Sequence, residues 1–347
     1  MTLALRRIVA GLGLLVLFAC TNEAPAPRSA PTTGSSVTPA PSTPAPTASP
    51  TAAPHPVSLQ ALMQKEYDGR DLRLGRVLAR NSEYTRYFVT YRSGNLRISG
   101  ILNVPAGNGP FPALVLNHGY IDPDVYVNGQ GLRREQDYLA RAGYIVLHTD
   151  YRNHAASDND PNFELGLRLG YTEDVINAVL ALKNSALPQI DRESIGLLGR
   201  SMGGGVTYNA AIVRPDLIKA VVVFAPVSSD VVDNFNRWMR RDRSSDRRQL
   251  AARIAQRYGS PEANPEFWRN VSPVNFFDRI AVPVVIHHGT SDDSCPIAWS
   301  ERTTAALKAA GKDVRYFVYE GEEHAFGPLW PRSMRRTVEY FDALLKA

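Results

Sequence analysis

Residues 195–206 read IGLLGRSMGGGV, and this stretch decides the fold. An apolar run leads in, Ser201 sits in the middle, and four glycines crowd positions 199 to 205. Glycine loses more backbone freedom on folding than any other residue. Such a cluster therefore marks either a backbone shape that other residues resist or the close approach of another group. The pentapeptide GRSMG at 199–203 fits G-x-S-x-G. Between a buried strand and a helix, that pattern sets the serine on a sharp, strained turn and exposes its hydroxyl at the helix start. Free amides and the helix dipole there favour developing negative charge. Gly199 and Gly203 are expected to permit the turn, and Gly204 and Gly205 to let the helix pack closely.

Outward from this turn, short apolar runs alternate with helical patterns. YTRYFVTYR and LRISGILNVP, around SGN, predict an antiparallel pair beginning at Tyr84. FPALVLNHG, YIVLHTDYR, SIGLLG, KAVVVFAP, VPVVIHHG and VRYFVYEG predict further strands. LRREQDYLARAG (ending at Gly143), YTEDVINAVLALKN, SERTTAALKAAG and SMRRTVEYFDALLKA predict helices between and after them. Strands separated by helices of this length mean β-α-β units. The expected architecture is a mostly parallel central sheet with helices on both faces, in which ligands sit beyond the carboxyl ends of the strands. The polar, helical stretch near 228–275 breaks the alternation and reads as an insertion over the sheet edge, a partial lid.

A serine hydroxyl needs a base. Seven histidines are present. His55 lies in a linker, His154 in a polar loop, and His118, His148, His287 and His288 within or at the ends of strands. His324, in YEGEEHAF, follows the last strand and precedes the last helix. The order Ser, acid, His puts the base of an α/β-hydrolase there. The competing reading is a surface histidine beside Glu322 and Glu323. The acid is expected after the preceding strand, where VVIHHGTSDDSCP offers Asp292 and Asp293. One would hold the imidazole, and the other would cap the next helix or turn. Two amides are needed for the oxyanion. Met202, directly after Ser201, is expected to supply one, and Tyr120, which closes LVLNHGY, the other; the alternative is that Tyr120 only packs.

With these residues in place, positions 84 to 347 resemble the catalytic domain of the prolyl oligopeptidase family of serine hydrolases. The segments that carry the likeness are DVINAVLAL before IGLLGRSMGGG, then PDLIKAVVVFAPV, SPVNFFDRIAVPVVIHHGTSDDSCP and VRYFVYEGEEHAF. The resemblance implies Ser201 as nucleophile, Asp292 as acid and His324 as base, acting on peptide or related acyl bonds without a cofactor. Two departures stand out. The family often has an aromatic after the nucleophile and a second glycine after the first HG, where this chain has Met202 and Tyr120. Dienelactone- and polyester-hydrolase-like enzymes share them, which keeps a carboxylesterase acting on a small ester as the second reading. Peptidases of the family commonly carry a β-propeller. Only about 30 residues separate the linker from the run at Tyr84, too few for several blades, so an open site is expected.

The rest of the chain bounds these readings. It has 347 residues, 44% hydrophobic and 21% charged, enough for one large α/β domain, expected over 57–347. MTLALRRIVAGLGLLVLFAC at 1–20 has the basic, apolar, small-residue order of a signal peptide, and its final LFAC resembles a bacterial lipobox that would lipidate Cys20. Residues 21–56, rich in Pro, Ala, Thr and Ser, read as an extended disordered tether. The expected location is the cell envelope, with the membrane engaged through the lipid. Cys295 is the one other cysteine, so no intrachain disulfide framework is expected. The net charge of +5 includes Arg6 and Arg7, too modest a balance to imply nucleic acid. His287 and His288 are adjacent on a strand and point to opposite faces, so no metal site is expected. No G-x-G-x-x-G opens the first β-α-β unit, which argues against a dinucleotide. A non-catalytic, surface-tethered binding lipoprotein is the alternative of another class, and the intact Ser201, Asp292 and His324 set argues against it.

Overall fold

The computed structural model describes residues 53–346. The expected signal peptide, Cys20 and all but the last residues of the expected tether lie outside them. Helix α1 (Leu59–Gln64) leads into β1 (Arg70–Arg80), β2 (Tyr84–Ser93) and β3 (Leu96–Pro105). Alternation begins at β4 (Phe111–Asn117) and continues through α2 (Arg133–Arg141), β5 (Ile145–Thr149), α3 (Gly170–Lys183), β6 (Ile190–Arg200), α4 (Met202–Val213) and β7 (Ala220–Phe224). The insertion holds α5 (Val231–Phe235), α6 (Ser245–Tyr258) and α7 (Pro265–Val271). Strand β8 (Val284–Gly289), α8 (Ile297–Ala309), β9 (Val314–Tyr319) and α9 (Trp330–Leu345) complete the domain.

The strands form one sheet in the order β1-β2-β3-β5-β4-β6-β7-β8-β9. Pairings from β1 to β3, and of β3 with β5, are antiparallel, and the rest are parallel. This is the α/β-hydrolase arrangement expected from the sequence. Successive strand residues face opposite sides. Val115, Leu197, Val223 and Ile286 pack with α3, α4 and α8 on one face. Leu114, Leu198, Val222 and Val285 pack with Leu139 of α2 and Phe341 of α9 on the other. Covered on both sides, these strands need apolar residues at every position, which is why they read as continuous apolar runs.

The topology also places the site. From β4 the chain passes to β5 on one side, then returns to β6 on the other. Where the winding reverses, the carboxyl ends of β4 and β6 leave a crevice between them. Ser201 directly follows β6, and Gly119 and Tyr120 lie just beyond β4.

Two features differ from the sequence expectation. The first strand is Arg70–Arg80, not the run at Tyr84. It pairs with β2 alone and is exposed along almost its whole length, with arginines at 70, 73, 76 and 80. Its apolar residues Leu72, Leu74, Val77 and Leu78 are interleaved with the four arginines without a clean alternation, so it lacks the unbroken apolar run of the buried strands, and its charge discourages pairing with another chain. The insertion is also more than a cover. Phe235, Ile254, Phe267 and Trp268 are buried with the residues of α3 and α4, so it is built into the core. His55, in the stretch expected as tether, sets its ring edge-on against Tyr258 and Phe267 at 5.4 and 5.1 Å between centroids.

Candidate active site

Ser201 holds φ 57° and ψ −124°, a conformation a side-chain-bearing residue adopts only when its surroundings enforce it. Three backbone bonds do so. Its amide donates to the Phe224 carbonyl at 3.0 Å, and its carbonyl accepts from Gly204 at 2.9 Å and Val227 at 3.1 Å. The flanking glycines are demanded by contact. A Cβ on Gly203 would lie 2.0 Å from the Asn117 carbonyl oxygen, and one on Gly199 would lie 2.3 Å from that of Gly203. Strand β6, the turn and the start of α4 are thus pressed against the end of β4.

The expected oxyanion donors sit beside this turn. Met202 is the first residue of α4, where the helix's own hydrogen-bond ladder leaves the amide free. Gly119, before Tyr120, lies so close that a Cβ there would be 3.1 Å from that of Ser201.

Asp292 and His324 leave the carboxyl ends of β8 and β9 and meet. His324 Nδ1 is 2.8 Å from Asp292 Oδ2. The Asp292 side chain is fully buried, and its other oxygen, Oδ1, accepts from the amides of Ser294 at 2.9 Å and Cys295 at 2.8 Å. Burial alone would push this carboxyl up. Hydrogen bonds from His288, His324 and the Cys295 amide outweigh it and hold the group well below the usual carboxylate range. Asp293 is exposed, and among the described residues its side chain accepts only from the Ser294 hydroxyl, at 3.3 Å. The two tasks divided between the aspartates in the sequence reading, orienting the imidazole and capping the turn, both fall on Asp292. Ser201 Oγ faces Cys295 Sγ at 4.0 Å, and no hydrogen bond joins it to His324 among the described residues. Such contacts commonly tighten only when substrate is bound. A strained hydroxyl, a carboxylate-held imidazole and nearby free amides are together equipped for acyl transfer.

Sequence reasoning missed several supports. His288 is fully buried, with Nε2 2.9 Å from the Cys295 carbonyl and 3.1 Å from Asp292 Oδ2, and Nδ1 2.6 Å from Ser300 Oγ. Asp292 is therefore held between two imidazoles. Cys295 is buried beside the nucleophile. Burial, with Asp292 close by, pushes its thiol up to about 12. Glu322, which the competing reading of a surface histidine set beside His324, is buried. Its carboxylate accepts from the amides of Gly327 and Leu329, which fixes the loop carrying His324. Arg134 donates to the Ala325 carbonyl at 2.6 Å on the same loop, and Arg237 of the insertion ties down the Asp293 carbonyl at 2.6 Å. None of these partners has a diagnostic spacing, because each meets the site from a different element. His287 turns to the opposite face, between Tyr319 and Thr337. A cavity of about 290 Å³ lined by Arg152, Phe163, Glu173 and Tyr258 includes none of Ser201, Asp292 or His324.

Comparison with known proteins bears on the family and the fold. Residues 130–347, more than half of the chain, match the profile of the prolyl oligopeptidase family. An uncharacterized peptidase of Bacillus subtilis, YtmA, is 25% identical over 268 residues, which cover 76% of this chain and 95% of YtmA. Among solved structures, an acylaminoacyl peptidase from Pyrococcus horikoshii superposes with a TM-score of 0.59 at 22% identity, over 76% of this chain and 42% of its own. An acetyl xylan esterase from Paenibacillus sp. R4 superposes with a TM-score of 0.61 at 20% identity, over 83% of this chain and 92% of its own.

Proposed function

Because this chain belongs to the prolyl oligopeptidase family of serine hydrolases, we propose that it cleaves peptide or related acyl bonds through an acyl-enzyme on Ser201. The observation that carries the proposal is the Asp292–His324 pair at 2.8 Å, beyond the same end of the sheet as the strained serine. His324 takes the Ser201 proton as Oγ attacks the acyl carbon. Asp292 accepts from Nδ1, so Nε2 is the nitrogen left to receive that proton. The amides of Met202 and Tyr120 hold the tetrahedral oxyanion. Its collapse expels the leaving group, protonated by His324. Water, deprotonated by the same imidazole, then releases the acyl group and restores Ser201.

A carboxylesterase is the second reading. Met202 and Tyr120, at positions where the family often has an aromatic and a glycine, favour it, as does the likeness along nearly the full length of an acetyl xylan esterase. The proposal extends to location. Export directed by residues 1–20 and a lipid on Cys20 hold the enzyme at a membrane of the cell envelope, a reading supported by the residue order of that segment and by the spacer after it.

A fluorophosphonate probe and a panel of aminoacyl amides and acyl esters test the chemistry. The native protein is expected to label and turn over. Ser201→Ala is expected not to label and to lose turnover by about 10⁴-fold or more with its melting temperature retained. A folded Ser201→Ala protein of near-native activity would overturn the mechanism.

A further inference from the structure

The surface around Tyr120, next to the elbow of Ser201, carries more positive charge and more free donors than acyl transfer requires. Arg168, on the loop before α3, stands over the Tyr120 ring at 4.7 Å from its centroid. Arg247 of α6 stands 4.8 Å from the same centroid and donates to the Tyr120 hydroxyl at 2.5 Å. Two segments about 80 residues apart thus converge on one ring. That ring follows Gly119, whose backbone lies against Ser201.

The two arginines share one acid. Glu164 lies 2.8 Å from Arg168 and 3.5 Å from Arg247, which leaves the group with net positive charge. The donors of Arg168 are also incompletely used. Its Nη1 points at the Met202 thioether at 3.6 Å, a weak acceptor, and its buried Nε has no acceptor among the described residues. A cation–π contact engages the charge without consuming the N–H groups. A buried, unpaired guanidinium donor is costly unless an acceptor arrives. The backbone is strained to put it there, since Leu167 and Arg168 are successive non-glycine residues at φ 50° and 56°.

We infer that Arg168 and Arg247 form a receptor for an anionic group of the substrate, a carboxylate, held over Tyr120 and beside Met202, the residue after the nucleophile. Guanidinium forks match carboxylates in shape as well as charge. The inference rests on the hydrolase reading and names its substrate class. The anion comes either from the acyl portion or from the leaving group.

Two matched ester pairs distinguish these sources. On the acyl side, mono(4-nitrophenyl) adipate is compared with 4-nitrophenyl 6-methylheptanoate. On the leaving-group side, 3-acetoxybenzoate is compared with 3-acetoxybenzamide. In one pair the native enzyme is expected to favour the anionic member by about tenfold or more in kcat/KM, the size of a charged hydrogen bond. Arg168→Gln and Arg247→Gln are each expected to remove most of that ratio. Using a ratio cancels any general loss from movement of Tyr120. If native protein labels with fluorophosphonate but turns over none of the four, the ratio is read from the concentrations of anionic and neutral ester that protect Ser201 from labelling. Ratios at or below one in both pairs, or a preference unmoved by both substitutions, overturn the inference and leave the hydrolase reading standing. Absence of both labelling and turnover overturns the hydrolase reading and the inference with it.

Discussion

Replacing Asp292 by asparagine tests the site at its most constrained atom. The native carboxylate accepts at both oxygens: Oδ1 from two turn amides, and Oδ2 from His324 at 2.8 Å and His288 at 3.1 Å. Asparagine has one acceptor and one donor in those places. With its oxygen kept on the turn, Nδ2 faces both imidazoles. His288 cannot reverse, because its Nε2 also serves the Cys295 carbonyl, which only accepts. His324 must therefore become an acceptor at Nδ1 and carry its hydrogen on Nε2, towards Ser201, where it can no longer take a proton. The flipped amide is no better, since Nδ2 would then oppose the amides of Ser294 and Cys295. Trapping the wrong tautomer costs on the order of 10⁴ in kcat, or about 5.5 kcal/mol of transition-state stabilisation. Asp293→Asn removes only an exposed charge and leaves an oxygen to accept from the Ser294 hydroxyl, so its kcat should change by about twofold. The assay is turnover of 4-nitrophenyl acetate at neutral pH, with thermal melts as the folding control. An Asp292→Asn enzyme within tenfold of native, or an Asp293→Asn enzyme that is the crippled one, would refute the reasoning.

Gly203→Ala drives a Cβ to 2.0 Å from a backbone carbonyl that cannot swing away, so a loss of several kcal/mol is expected, and a native-like thermal melt would contradict the packing argument. Because the folded Asp292 carboxyl is held below its ordinary value, the unfolded chain takes up that proton first. Its stabilisation is present above about pH 4 and is lost as pH falls below it, so Asp292→Asn should flatten the acid limb of a urea-midpoint profile, and an unchanged limb would count against the assignment. The buried Cys295 thiol, raised to about 12, should resist iodoacetamide at pH 8 in the folded protein and react in urea, as read by mass spectrometry; rapid alkylation of the folded protein would contradict its placement.

What the sequence determined by itself is whatever depends on neighbours along the chain. The parallel strands were legible because two covered faces demand unbroken apolar runs. The elbow was legible because a strained serine needs glycine on both sides. The positions of Ser201, Asp292 and His324 followed from their places just after β6, β8 and β9, where this topology gathers side chains. Strand β1 was hidden because an exposed edge strand can mix charged residues among its apolar ones and keep no clean alternation. The contact of Asp292, not Asp293, with His324 was decided only by the turn that leaves Gly289, although the family likeness had singled Asp292 out. Tertiary structure alone brought His288 to the second flank of that carboxylate, set Cys295 beside the nucleophile and buried Glu322 under the histidine loop. It also carried Arg168 and Arg247 to a common ring. Hydrogen bonds and charge contacts act through a few ångströms of space, and partners from separate elements leave no period or spacing in the chain that would announce them.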